Sequence, residues 1–210
     1  VVGISVYSAQ RGWQNIATSR VILATGGIGM AWQHTTNPVE STGDGMAMAA
    51  RAGAVLSDVE FMQFHPTAIA SDAAGNLNLL TEALRGAGAV LLDDSGKPFM
   101  RGEHVLGDLA PRDIVARAIY ARTQSGGRVF LDIAPALMNI GAAGFPTAIA
   151  AAQQAGIDPF TTPIPVVPAA HYHMGGVQVD EVGRSTVSGL WVCGEAAASG
   201  IHGANRLASN

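Results

Sequence analysis

The pattern of the chain changes twice, and that constrains its fold more than any other feature. Val2, Ile4 and Val6 alternate as in a strand, residues 13–17 continue the theme, and an apolar run follows at Val21-Ile22-Leu23-Ala24. This predicts a small antiparallel meander and then a buried strand. Ser41 or Thr42 is expected to cap a helix over 45–52, which Gly53 would end. From Pro66 to about Pro165 the texture turns helical. Helices are predicted around 80–86, from Pro111 to Gly126 and over 146–156, with short strands at 90–92 and 129–133. After Val166 the strand pattern returns at 177–179 and 190–193, and residues 203–210 read as the first turns of a helix. Two bodies are therefore expected: a mixed sheet from residues 1–65 and 167–210, and an α+β insertion over 66–166.

Composition narrows the function classes. Of 210 residues, 48% are hydrophobic and 13% charged, a balance that supports a packed core rather than disorder. Glycine occurs 26 times without a triplet period, which points to tight turns or close backbone approach to a ligand. A formal charge of −4 argues against a nucleic-acid partner. The lone Cys193 excludes an internal disulfide, no Cys/His cluster has metal spacing, and a reducing cytoplasm fits. The longest charge-free run, 133–157, contains Asn139, Pro146, Gln153 and Gln154 and makes a poor membrane span. The chain opens on Val1 inside an alternating run, so it is expected to be an internal piece of a longer protein.

Four clusters have the residue types for chemistry, and each has a structural alternative. Thr25-Gly26-Gly27 ends a strand, with Asp44 near the next helix start. Such glycines let backbone approach a dinucleotide, and a carboxylate can bind its hydroxyls, but glycine pairs also make ordinary turns. In Gln63-Phe64-His65-Pro66-Thr67, alternation puts Gln63 and His65 on one face, either to grip a carboxylate or as hydrogen-bonded core groups. Glu82 and Arg85 stand one helical turn apart, as a surface ion pair or as something more. Arg112, in a first helical turn, adds positive charge to a positive dipole end, which suggests a function or a partner such as Asp113. The last cluster joins His171-Tyr172-His173, Gly194-Glu195 and His202-Gly203-Ala204-Asn205-Arg206, a Gly-rich set of donors suited to an anion.

The segments VILATGG, STGDGMAMAARAGA, QFHPTAI, TEALRGAGAVLL, LAPRDIVARAI, PAAHYHMGGVQVD and GLWVCGEAAASGIHGANRLASN, in this order, resemble the succinate dehydrogenase/fumarate reductase flavoprotein superfamily. Within it, LAPRDIVARAI, VPAAHY and HGANRLASN are most similar to the L-aspartate oxidases. The resemblance covers essentially the whole chain. It implies a partial α/β FAD-binding domain interrupted by an α+β capping domain, with FAD as cofactor. The implied reaction is oxidation of L-aspartate to iminoaspartate with O₂ or fumarate as acceptor, the first step of de novo NAD biosynthesis. The alternative is a succinate dehydrogenase or fumarate reductase flavoprotein subunit. The implied partners are a small dicarboxylate (L-aspartate, fumarate or succinate) and quinolinate synthase, with no nucleic acid and no membrane.

By the same resemblance, Thr25, Gly26, Gly27, Asp44, Glu195 and Ser209 would hold FAD. Arg112 would give or take the substrate proton, with Glu82 and Arg85 relaying to it. His65, Thr81, His171 and Arg206 would clamp the dicarboxylate, with Gln63 beside them. Arginine rarely loses a proton, so Arg112 acts as a base only where burial and neighbouring cations depress its pKa; otherwise its part is electrostatic. Three departures stand out: Ala87 where relatives commonly carry Glu, His173-Met174 where aspartate oxidases often have small residues, and no G-x-G-x-x-G. With that turn missing, the piece alone is expected to hold FAD weakly and to be inactive.

Overall fold

Two strands lead from one part of the molecule into another, and both run straight through the prolines at which the sequence texture changes. In the computed structural model, which describes residues 1–71 and 75–206, strand Met62–Ile69 contains Pro66 and strand Ile164–His173 contains Pro165 and Pro168. These two strands pair with each other. The chain divides into two compact units within them, between residues 63 and 64 and between 171 and 172.

The first unit comprises residues 1–31, 39–63 and those from 172 onward. An antiparallel hairpin pairs Gly3–Ser8 with Gly12–Ala17, the meander that the alternation predicts. Strand Val21–Leu23 lies parallel to Leu190–Val192, residue for residue. A three-stranded sheet sets Gly176–Gln178 between Leu56–Ser57, antiparallel, and Ala197–Ala198, parallel. Helix Asp44–Arg51 packs its buried Met46 and Ala49 on Leu23, Val177, Leu190 and Val192. Its N-cap is neither Ser41 nor Thr42 but Gly43, without a side-chain cap. The reason is steric. Gly43 adopts φ 80°, and the Ile28 side chain fills the place a Cβ would take.

The second unit comprises residues 32–38 and 64–171. Residues 32–38, which the sequence texture leaves with the first body, join it because strand His34–Thr35 pairs with Ala170 and with Gly75–Asn76. The six-stranded sheet also carries Phe130–Asp132 and Val90–Leu92, joined antiparallel. Helices Arg112–Gln124 and Pro146–Gln154 bury Val115, Ala118, Ile119, Ala148 and Ala152 in the main core with Leu84, Leu91, Leu131 and Ile164. Two helices escape the sequence reading: Met100–Glu103, and Ala134–Ile140, which begins with Pro135 near its start and ends at Gly141. Among the described residues no helix is long and apolar enough to cross a membrane.

Candidate functional site

In the first unit, polar groups gather at the carboxyl ends of the two parallel strands. Leu23 leads into Thr25-Gly26-Gly27, and Val192 into Cys193-Gly194-Glu195. Gly26 and Gly194 take φ 77° and 67°, where a side chain would be strained. A Cβ on Gly27 would collide with the Glu195 carboxylate, and one on Gly45 with the Thr25 side chain. Glu195 Oε1 accepts a 2.8 Å hydrogen bond from the His173 backbone N–H. Burial raises the Glu195 pKa above the ordinary carboxyl value, opposed by that hydrogen bond and by His173 and Arg206. Asp44 is exposed in the first turn of its helix.

This edge fits the dinucleotide that the strand–glycine pattern suggests and that the family resemblance implies to be FAD. Open parallel sheets bind ligands beyond their carboxyl ends, where backbone must come close. Here the absence of a Cβ at Gly27 makes the space that the Glu195 carboxylate occupies. Thr25, Gly26, Gly27, Asp44 and Glu195 are the residues placed at this edge that could hold FAD. Ser209 lies outside the described residues.

The remaining groups of the first unit surround Arg206. The Gln63 amide nitrogen donates to Asn205 Oδ1 and, at 2.8 Å, to the Arg206 carbonyl, so Gln63 braces the turn that carries the arginine. The Arg206 guanidinium lies 4.5 Å from the Tyr172 ring centroid, whose edge contact with His202 spans 5.3 Å. Tyr172 has its pKa raised, chiefly by burial and then by Glu195. Its part in seating Arg206 is absent from the sequence reading, because a tyrosine beside a histidine gives no signal of the cation it will face.

The second unit builds its cluster from charged side chains. Glu82 stands between two arginines: Arg112 Nε donates to Oε2 at 2.6 Å, and Arg85 Nη2 lies 3.3 Å from Oε1. Arg85 is 2% exposed and donates through Nη1 to the Asp108 carbonyl, so the cation of the pair is buried while the Glu82 side chain stays 40% exposed. Burial lowers the Arg85 pKa; Glu82 and Asp108 oppose the shift and Arg112 reinforces it. Asp113 is not the partner of Arg112: it pairs with Arg117 one helical turn on, while Glu82, thirty positions earlier, reaches Arg112. Asp108, which also fixes the Leu91 N–H through its carboxylate at 2.9 Å, is a further member that sequence reading misses.

His65 and His171 meet edge to face, with ring centroids 5.3 Å apart. His65 is 2% exposed, and its pKa falls from 6.5 to about 2. Burial is the main cause, and His171, Arg112 and Arg85 add to it. Thr81 caps helix Glu82–Gly86, its hydroxyl accepting from the Ala83 N–H at 3.4 Å. The second unit thus brings His65, His171, Glu82, Arg85 and Arg112 into one electrostatic neighbourhood. Its two imidazoles and paired guanidiniums suit a carboxylate-bearing ligand.

Known proteins are similar to this chain in sequence and in fold. L-aspartate oxidase of Xylella fastidiosa strain 9a5c is 55% identical over 195 residues, 93% of this chain and 38% of that protein. L-aspartate oxidase of Mycobacterium leprae is 50% identical over all of this chain and 40% of its own length. The chain thus spans about two fifths of these curated relatives. Among solved structures, a quinol–fumarate reductase with menaquinol molecules superimposes with TM-score 0.85 at 33% identity, covering 100% of this chain and 40% of that one. Sdh1 of Mycobacterium smegmatis in complex with UQ1 gives TM-score 0.80 at 37% identity, covering 100% of this chain and 36% of that one. Over residues 1–210 the sequence matches the FAD-binding domain family, and the chain belongs to it.

Proposed function

We propose that the protein containing this chain oxidises L-aspartate to iminoaspartate. Identity of 50–55% to L-aspartate oxidases across 93–100% of the chain supports this, against 33–37% for the fumarate reductase and Sdh1 chains. In this reaction L-aspartate loses a hydride from Cα and a proton from nitrogen, and a C=N bond forms. O₂ would leave as hydrogen peroxide, or fumarate as succinate. FAD, when bound, supplies the hydride acceptor. Iminoaspartate would pass to quinolinate synthase in NAD biosynthesis, and the lone Cys193 is in keeping with a reducing cytoplasm.

The chain's own residues have the following parts in this reading. Thr25, Gly26, Gly27, Asp44 and Glu195 hold the cofactor, and the second unit serves as capping domain. Arg206 takes a substrate carboxylate in bidentate fashion. His65, His171 and Thr81 bind a carboxylate through neutral donors. Arg112 stabilises charge developing at the reacting centre, and its Nε–H on Glu82 Oε2, with Arg85 Nη2 3.3 Å from Oε1, sets the line along which Glu82 and Arg85 would relay a proton.

A succinate dehydrogenase or fumarate reductase subunit is the second reading, favoured by the structural likeness over the whole chain. The two readings part on substrate. A full-length, FAD-loaded protein that releases hydrogen peroxide with L-aspartate but not with succinate supports the first, and the reverse preference overturns it.

A further inference from the structure

Thr35, Thr36 and Asn37 form a clasp on the backbone of Ala170 and His171, some 135 positions away. Three donors converge on the Ala170 carbonyl, Thr36 N at 2.9 Å and Thr35 Oγ1 and Asn37 Nδ2 at 3.1 Å, and the Thr36 hydroxyl lies within 3.4 Å of it. Asn37 Nδ2 also reaches the His171 carbonyl at 3.2 Å. The strand pairing of Thr35 with Ala170 sets this arrangement.

The clasp determines where the Thr36 hydroxyl hydrogen goes. A carbonyl oxygen offers two lone pairs, and the three shorter donors already exceed them. Thr36 Oγ1 lies 2.8 Å from His171 Nδ1, a much better distance than its 3.4 Å to the carbonyl. The crowded carbonyl and the shorter distance favour a hydroxyl that donates to Nδ1, an arrangement that puts the imidazole proton on Nε2. His65 reaches the same tautomer by another route, since the Thr67 backbone N–H donates to its Nδ1 at 3.3 Å.

We propose that Thr36 is a positioning residue that holds His171 in the Nε2–H tautomer, so that His65 and His171 present matched N–H donors. That the donors serve a carboxylate rests on the dicarboxylate reading above; the tautomer does not. His65, held neutral by burial and by the charges of His171, Arg112 and Arg85, donates to an anionic oxygen without adding its own charge to theirs.

The test uses the full-length flavoprotein labelled with ¹⁵N-histidine, with His171 assigned by comparison with His171→Gln. The parent should show His171 Nδ1 as an unprotonated, pyridine-type nitrogen and Nε2 as a protonated, pyrrole-type one. Thr36→Val should abolish this preference and weaken succinate, titrated through the flavin spectrum, about tenfold. Thr36→Ser should restore both. A parent His171 protonated on Nδ1 overturns the proposal without any variant, as does a Thr36→Val protein that keeps tautomer and affinity. A tautomer that follows Thr36 in a parent that binds no succinate upholds the positioning role and removes the dicarboxylate reading.

Discussion

The two units make their candidate sites from opposite materials. In the first, backbone does most of the shaping: parallel strands end in glycines, and a missing Cβ at Gly27 leaves room for one carboxylate. In the second, side chains do it: Glu82 bridges Arg85 and Arg112, and two imidazoles meet beside them. The difference teaches where each is vulnerable. The glycine-built edge should fail when atoms are added, and the charged cluster when they are removed.

The largest expected effect is at the cluster. Arg112→Ala in the full-length enzyme should lower turnover about a hundredfold or more, as loss of a charge-stabilising donor does. FAD should stay bound, because the residues assigned to it belong to the other unit. Turnover and flavin absorbance per protein check this together, and loss of flavin along with activity would make Arg112 a structural residue.

Next come two glycine substitutions that divide the first unit's edge. A Cβ on Gly175 meets backbone at Asp58 and Val59, which has nowhere to go, so Gly175→Ala should cost about 1–3 kcal/mol of stability. The nearest atoms to a Cβ on Gly27 are the Glu195 Oε1, Cδ and Cγ, side chain rather than backbone, which can shift with loss of the hydrogen bond from the His173 N–H. Gly27→Ala should therefore cost less stability than Gly175→Ala and weaken FAD about tenfold, a loss of about 1.4 kcal/mol. Denaturant unfolding and flavin titration read the two separately. Equal effects from both variants would erase the distinction between packing glycine and cofactor glycine.

At neutral pH the smallest effect is a pH dependence, which grows only as the solution is acidified. His65 titrates near 6.5 when unfolded and about 2 when folded. Between those values the unfolded chain holds a proton that the folded chain lacks. Stability is therefore intact above pH 6.5 and declines as pH falls, by at most about 1.4 kcal/mol per pH unit from this group. His65→Asn should flatten the slope in that window. A parent slope that His65→Asn leaves unaltered would assign the acid sensitivity to other groups.

The same contrast explains what was legible in the sequence. Glycine turns and regular periodicity are local, so the hairpin, strand Val21–Leu23 and helices Arg112–Gln124 and Pro146–Gln154 could be read residue by residue. The Thr25-Gly26-Gly27 edge was visible for the same reason. Of the ion cluster, spacing marks the Glu82–Arg85 turn, and only the family resemblance links it to Arg112; spacing points instead to adjacent Asp113, because the true partner is set by topology across thirty positions. Thr36 and Asn37 carry no periodic signal, and their role arises only when strand His34–Thr35 finds residue 170. Helix Ala134–Ile140 escaped because its apolar residues sit in a long uncharged run with no polar face to mark a period.

The most direct test of the central claim is hydrogen peroxide release by the full-length, FAD-loaded protein with L-aspartate, succinate and L-alanine in turn. Rapid release is expected with L-aspartate, little with succinate, and least with L-alanine, which lacks the second carboxylate that the imidazole and guanidinium groups are proposed to bind. Oxidation of L-alanine as efficient as that of L-aspartate would contradict the dicarboxylate site, and flavin reduction by succinate alone would contradict the oxidase reading.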